Sequence, residues 1–196
     1  GSECTNRDAV SACKCGMPQP EQPKTPPSEP KVERVQFLVA ALPTILSFTL
    51  PEPVPAQVAL AADYAPFAVG MPWGPPWGTT WFRFRATVPS DRRESPLEAV
   101  VDLGWTSDSV GGQAEGLVVD KAGRIIKGLH PRNAWVPVTL TDKAKVRFFV
   151  EAAANPEILR ARSFAPTSLG RKDTADPAPL YRLARAEIVE VHVDVR

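Results

Sequence analysis

Period-two alternation between apolar and polar side chains is the feature of this sequence that most restricts its fold. From Phe82 to Val88 every second position is apolar, and the positions between hold arginine or threonine. Because successive side chains of a strand point to opposite faces, this pattern predicts a half-buried β-strand. Such a strand has to bury its apolar face against a second layer of structure.

Similar extended patterns recur along the rest of the chain. We predict further strands over residues 97–103, 135–140, 146–151 and 186–195. In the last of these segments, Val189, Val191, Val193 and Val195 are expected on one face. A hairpin is predicted around residues 120–123, because Asp120 favours a turn and Gly123 can take the positive φ that a short loop needs.

These short strands, separated by glycine and proline turns, predict an all-β fold. We expect an antiparallel β-sandwich or jelly roll of the galactose-binding-like type, because each one-sided strand has to cover its apolar face with another sheet. A barrel is the structural alternative. No segment of comparable length carries a helical period.

The chain divides into three parts by composition. Residues 1–31 hold all three cysteines, Cys4, Cys13 and Cys15, and end in a stretch rich in proline and polar residues. We predict that this Pro-rich tail is disordered, since it has too few apolar side chains to offset its ordering entropy. Residues 32–56 are apolar and contain a candidate strand at 45–50, but their place in the fold stays open. Residues 57–196 form the predicted sandwich domain.

The charge and hydropathy of the chain indicate neither a nucleic-acid nor a membrane partner. The 23 lysines and arginines nearly balance the 22 aspartates and glutamates, so we expect neither nucleic acid nor a membrane surface as partner. The apolar run from Phe37 to Leu42 is broken by Pro43 and is too short for a membrane span. With no signal peptide recognisable at the start, a cytoplasmic location is expected.

No residue pattern typical of catalysis or metal binding stands out. The two histidines, His130 and His192, lie outside any nucleophile motif. His192 and Asp194 could share a metal ion, but on a strand they lie with Glu190 on a face that we expect to be solvated.

Paired carboxylates could in principle hydrolyse a glycosidic bond. The candidates by residue type are Asp102, Asp108, Glu115 and Glu151. The sequence does not place any two of them together, and Glu115 and Glu151 could equally be structural groups at strand ends.

Three tryptophans within nine residues form the densest aromatic signal. Trp73, Trp77 and Trp81 lie among glycines and prolines that restrict the loop. They could form a rigid apolar platform on which a sugar ring stacks. They could equally close one end of the sandwich, as clustered tryptophans of small domains usually do.

Several stretches of the chain match a known family in order and spacing. The first comprises Tyr64-Ala65-Pro66-Phe67 and the run GMPWGPPWGTTWF from Gly70 to Phe82. The others are Val101-Asp102-Leu103-Gly104, Gln113-Ala114-Glu115-Gly116-Leu117-Val118 with Pro131-Arg132-Asn133, and Phe149-Val150-Glu151-Ala152-Ala153-Ala154-Asn155-Pro156. Together they resemble the N-terminal domain of bacterial and fungal-vacuolar α-mannosidases of glycoside hydrolase family 38.

The resemblance implies a non-catalytic N-terminal β-sandwich module that packs on a catalytic domain and supports it. Members of this family are similar in being retaining α-mannosidases with a divalent metal, usually zinc, in the domain that follows. Their metal and nucleophile motif has no counterpart in this chain, so no catalytic residue, metal ligand or cofactor is carried over. Expected partners are the catalytic domain and, if the tryptophans contact sugar, mannose-containing glycans. A fungal origin would also allow a vacuolar location.

Overall fold

The computed structural model describes residues 32–157 and 167–195 of the 196-residue chain. The predicted Pro-rich tail, residues 1–31, lies outside the described residues together with its three cysteines.

Almost all regular structure in these two ranges is β-strand. The strands are β1 (Val32–Ala41), β2 (Thr44–Leu50), β3 (Ala65–Phe67), β4 (Pro72–Trp73), β5 (Thr79–Thr87), β6 (Leu97–Asp102), β7 (Glu115–Val119), β8 (Ile125–Leu129), β9 (Trp135–Pro137), β10 (Lys145–Ala153), β11 (Tyr181–Arg182) and β12 (Arg185–Val195). One helix, α1 (Ala56–Ala61), and two single 3₁₀ turns, at Ser90–Arg92 and Ser168–Gly170, accompany them. None of the helical elements described is long and apolar enough to cross a bilayer.

The strands form two main antiparallel sheets. The four-stranded sheet has the order β1-β12-β6-β9, and the six-stranded sheet has the order β3-β2-β5-β10-β7-β8. β4 and β11 form a small separate ladder. All described strand pairs are antiparallel, which confirms the predicted all-β sandwich.

The main core lies between the inner faces of the two sheets. Phe82 and Phe84 of β5 are fully buried, as the alternation predicts, and Val101 of β6 meets the same cluster from the other sheet. Phe84 stacks on Phe148 of β10 with 4.9 Å between ring centroids. Burying one such side chain stabilises the fold by about 1.5–3 kcal/mol, so this interior is the main source of stability.

The apolar segment of residues 32–56, whose place the sequence left open, contributes one strand to each sheet. β1 pairs with β12, and β2 pairs with β5. Only Leu42 and Pro43 connect β1 to β2, so the chain crosses from one sheet to the other within two residues. The sandwich therefore begins well before residue 57.

Helix α1 covers the middle of the outer face of the six-stranded sheet. Ala59 of the helix is fully buried against Trp81, Val119 and Phe149, which point outward from β5, β7 and β10. This second, smaller cluster explains why outward-facing positions of three neighbouring strands are apolar. The two ends of the outer face are left uncovered by the helix.

The prediction that Glu190 lies on a solvated face of β12 is wrong. Ala186 and Ile188 on the same face belong to the main core, and Glu190 is only 8% exposed. Its carboxylate accepts hydrogen bonds from Arg92 at 2.7 Å and from Ser95 at 2.8 Å. Because the turn after β5 brings these two donors over the strand, a charged group can be buried there without losing its partners.

Candidate functional site

Trp73 lies inside the sandwich and closes one end of its core. The side chain is 3% exposed, and its indole N–H donates a hydrogen bond to the carbonyl oxygen of Leu103 at 2.8 Å. The ring stacks on Tyr181 with 5.3 Å between centroids and meets Phe82 edge-on. These contacts hold β4 and β11 against the end of the core.

Trp81 is also fully buried, but on the other side of the six-stranded sheet. It lies in the cluster beneath α1, and its Nε1 has no hydrogen-bond partner among the described residues. With Trp73 and Trp81 both buried, the three indoles do not form a common exposed platform.

Trp77 is the member of the trio with a partly exposed ring. Its backbone adopts φ = 63°, a left-handed conformation that is uncommon for a large side chain. The backbone N–H donates to the carbonyl oxygen of Ala154 at 2.9 Å, and the indole N–H donates to the carbonyl oxygen of Leu169 at 2.9 Å. Contact between this tryptophan cluster and a sugar stays a prediction, and Trp77 is the residue through which it would occur.

Trp77 borders a groove at one end of the outer face of the six-stranded sheet, which we call the acidic groove. The groove has a volume of about 460 Å³ and is also lined by Glu115, Glu151 and Asn155. In the strand register, Glu115 of β7 is opposite Ala153 of β10, and Leu117 is opposite Glu151. The two glutamates are therefore diagonal neighbours on one face, and the structure brings together two of the four candidate carboxylates.

The acidic groove is a partly desolvated site with little positive charge. Burial raises the pKa of Glu151 above the ordinary glutamate value. No ion pair or hydrogen bond joins the Glu151 carboxylate to another residue within the described ranges. The amide of Asn155 donates to the carbonyl oxygen of Gln113 at 3.3 Å, and its backbone carbonyl accepts from the Tyr181 hydroxyl. An aromatic ring edged by oxygen acceptors is suited to binding a neutral molecule rich in hydroxyl groups.

Comparison with known proteins identifies the fold family. The family model of the alpha-mannosidase jelly roll domain, of Ams1-like type, matches residues 40–189. The chain belongs to this family.

Two alpha-mannosidases show the same relationship over the jelly roll domain. Human alpha-mannosidase 2C1 is 32% identical over 155 residues, which cover 76% of this chain and 13% of the human protein. Mouse alpha-mannosidase 2C1 is 27% identical over 158 residues, which cover 78% of this chain and 14% of the mouse protein. The chain thus spans about one-seventh of the length of these curated relatives.

The other two candidate carboxylates of the jelly roll domain lie away from the acidic groove. Asp102 accepts hydrogen bonds from the backbone N–H groups of Gly104 at 2.8 Å and Trp105 at 3.3 Å, so it shapes the turn after β6. Asp108 is exposed in the loop that follows, where its backbone carbonyl accepts from Arg132. Neither lines the groove that holds Glu115 and Glu151.

Within the part of the chain that the structure describes, neither histidine belongs to a group of three metal-ligating side chains. His130 lies in the turn after β8, with its Nδ1 buried and unpartnered among described residues. His192 is half-exposed and contacts Glu190, with 3.0 Å between Nε2 and Oε1. The described residues hold no group of three or more metal-ligating side chains, so they do not fit the metal of the resembled family.

Sequence reasoning did not select Asn155 or the carbonyl oxygen of Leu169 as parts of a site. Asn155 occurs in a stretch that matches the family, and this was the one signal that could have pointed to it. Leu169 belongs to a separate 3₁₀ turn that meets Trp77 only in the folded chain.

Proposed function

We propose that this jelly roll domain is a non-catalytic module that packs on the catalytic part of an α-mannosidase and supports it. Family membership over residues 40–189 carries the proposal, together with the relatives, which are named alpha-mannosidases and extend far beyond the matched segment. The proposal assigns the metal and the nucleophile of the reaction to the part of such an enzyme outside this chain.

An exposed apolar groove supports a packing role. The groove has a volume of about 400 Å³ and is lined mainly by apolar side chains. It lies where β2 begins and β3 ends. Leu42 is 73% exposed there and Val69 is 48% exposed. Apolar side chains clustered at a surface usually mark a site of contact with another protein surface. The proposed occupant is the catalytic part of the same enzyme.

The direct test removes the matched segment from human alpha-mannosidase 2C1. We expect the shortened enzyme to lose most of its activity on an aryl α-mannoside and to melt at a lower temperature, because an apolar surface is uncovered. A shortened enzyme as stable and active as the intact one would contradict the proposal.

A chimera locates the contact. Residues 40–189 of this chain replace the matched human segment, and Leu42→Asp is compared with Ile125→Asp. Both side chains are largely exposed, at 73% and 68%, but Ile125 lies on β8 away from the apolar groove. We expect only Leu42→Asp to lower the melting temperature of the chimera.

The same proposal predicts that the purified chain releases no mannose from an aryl α-mannoside. Release at a rate that a chelator abolishes would show a metal-dependent active site in this chain and would end the supporting-module proposal. The cytoplasmic location expected from the sequence stays a prediction, which fractionation of the source cells tests.

The acidic groove favours a second candidate function, carbohydrate binding through Trp77. The partly exposed ring lies beside Glu115 and Glu151, whose oxygens can accept hydrogen bonds from sugar hydroxyls. Calorimetric titration with mannose and α-mannobiose tests it, with Trp77→Ala as the variant. Trp135→Ala is the matched control, since Trp135 is 43% exposed but lies on β9 of the other sheet. No heat above dilution for the wild type would count against this function.

A further inference from the structure

Two arginines face each other on the outer face of the six-stranded sheet, and among the described residues neither has a counter-ion. Arg85 of β5 is directly opposite Arg147 of β10, and both side chains are exposed. Side chains in such positions have Cβ atoms about 4.5–5.5 Å apart, and like charges there are destabilising. No carboxylate of the described residues forms an ion pair with either arginine, and neither guanidinium has a hydrogen bond within those residues.

The two arginines line a pocket at the end of the outer face opposite the acidic groove, which we call the cationic pocket. It has a volume of about 720 Å³ and is also lined by Lys121 and Lys145. The hydroxyl groups of Thr44 and Thr87 add neutral hydrogen-bond donors to the same wall. The strand ends bring these residues together, because Thr44 is opposite Arg85 and Thr87 is opposite Lys145.

Asp120, the one carboxylate that described residues contribute to the wall of the cationic pocket, already accepts hydrogen bonds from its own hairpin. Asp120 accepts hydrogen bonds from the backbone N–H groups of Ala122 at 2.8 Å and Arg124 at 3.0 Å. Its other oxygen accepts from the Arg124 side chain at 2.7 Å. Backbone and side-chain donors of Arg124 accordingly hold the pKa of Asp120 below its usual value. Asp120 therefore stabilises the hairpin and does not neutralise Arg85 or Arg147.

The unbalanced positive charge extends along the sheet. Partial desolvation of its guanidinium, and then the positive charges of Arg85 and Arg83, lower the pKa of Arg147. The neighbouring Arg83 is half-buried with its guanidinium 4.6 Å from the centroid of the Tyr64 ring, and its Nε has no partner among the described residues. The fold thus retains several like charges side by side, at a cost that a bound anion would offset.

We propose that the cationic pocket binds a phosphate or sulfate group, free or carried by a small molecule. Each guanidinium can donate two parallel hydrogen bonds, and the two oxygens of one carboxylate can serve only one such fork. A tetrahedral oxyanion has enough oxygens for both Arg85 and Arg147. The volume exceeds that of the bare ion, so the pocket also has room for the remainder of an ester. The proposal rests on Arg85 and Arg147, which do not line the apolar groove, although Leu42 and Thr44 line both sites.

Isothermal titration of the full chain in phosphate-free buffer tests the proposal. The probes are inorganic phosphate and mannose 6-phosphate, with mannose as the uncharged counterpart of the ester. We expect saturable binding to one site, weakened about tenfold or more by Arg85→Gln or Arg147→Gln, since each change removes charge-assisted hydrogen bonds. Tighter binding of the ester than of inorganic phosphate identifies an esterified ligand, and the reverse order identifies the free ion.

Arg171→Gln is the matched control for these variants. Arg171 is exposed and paired with Asp173 at 2.7 Å, and it does not line the cationic pocket. We expect its variant to bind phosphate as the wild type does. Absence of saturable binding by either phosphate probe overturns the proposal, as does an affinity that neither pocket variant changes.

Thermal melts show whether the pocket variants are folded. In chloride buffer without phosphate, Arg147→Gln is expected to melt at or above the wild-type temperature, because it removes one of two opposed charges. Adding phosphate should then raise the melting temperature of the wild type more than that of the variant. An equal rise in both proteins would be a general salt effect and would contradict a specific site.

Discussion

Trp73 and Leu103 join two family-matching stretches of the chain through one buried hydrogen bond. The indole N–H of Trp73 donates to the Leu103 carbonyl at 2.8 Å, and both side chains belong to the main core. The bond fixes β4 at the end of β6, where the ring of Tyr181 stacks on the indole. Trp73 therefore has a packing role that the sequence alone could not separate from a ligand-binding one.

Two substitutions of Trp73 should lower the unfolding free energy of the domain by different amounts. Trp73→Phe removes the donor and leaves the Leu103 carbonyl unpaired, which costs about 1–3 kcal/mol of unfolding free energy. Trp73→Ala also leaves a cavity, and we expect a loss of about 3–5 kcal/mol. Urea denaturation measures both values. Trp135→Ala, at a residue 43% exposed whose ring contacts the Lys127 ammonium, should cost less, about 1 kcal/mol. A Trp73→Phe variant as stable as the wild type would show that the hydrogen bond contributes nothing.

Gly104 should tolerate a methyl group less well than Gly111, although both have positive φ. A Cβ at Gly104, with φ = 96°, would lie 2.2 Å from the carbonyl oxygen of Arg182, whereas a Cβ at Gly111, with φ = 88°, meets no atom within 4 Å. Backbone strain alone should cost about 1–2 kcal/mol for Gly111→Ala. We expect Gly104→Ala to cost about 1–3 kcal/mol more, because the Arg182 backbone would have to shift. Equal melting temperatures of the two variants would contradict this explanation.

Glu190 should make the domain more stable at neutral pH than in acid. Hydrogen bonds from Arg92 and then Ser95 lower the pKa of its carboxyl group. A lowered folded-state pKa stabilises the protein above the unfolded pKa, and this stabilisation is lost as the pH falls through the folded-state value. Unfolding free energy should therefore fall less steeply toward acid in Glu190→Gln than in the wild type. Glu94→Gln, at an exposed position, is the control and should retain the wild-type slope.

Glu151 should show the opposite dependence on pH. Burial raises its pKa, so its charged form is disfavoured in the folded state. Stability is then lost as the pH rises from the unfolded-state pKa through the folded-state one. Glu151→Gln should raise the unfolding free energy at neutral pH by at most about 1 kcal/mol, because solvent still screens a half-buried group. The gain should vanish in acid. A loss of stability at neutral pH would instead indicate that the charged carboxylate has a stabilising partner.

Local sequence patterns predicted strands and turns well where one face of the strand is covered. The alternation around β5 and the turn at Asp120 to Gly123 are both confirmed. The pattern was wrong for Glu190, because β12 is an interior strand whose neighbours include a turn that supplies Arg92 and Ser95. A charged residue looks solvent-facing in a sequence when its partner is distant along the chain.

Prediction of the candidate site from the sequence was limited in the same way, because its residues are distant along the chain. Residue type identified Asp102, Asp108, Glu115 and Glu151 as possible acids, but only the register of β7 against β10 places Glu115 beside Glu151. Likewise, three tryptophans close together in sequence are separated by the sheet, with Trp73 in the main core and Trp81 beneath α1.

By itself, the sequence determined that the chain is all-β and that it belongs with the α-mannosidase jelly rolls, since alternation and motif order are properties of the linear chain. Only the tertiary structure decided that the outer face of one sheet carries acids at one end and, at the other, two opposed arginines with no ion pair to a described residue. The physical reason is that alternation assigns each residue to a face of its own strand, whereas charge balance and site formation depend on which strands are neighbours and in what register.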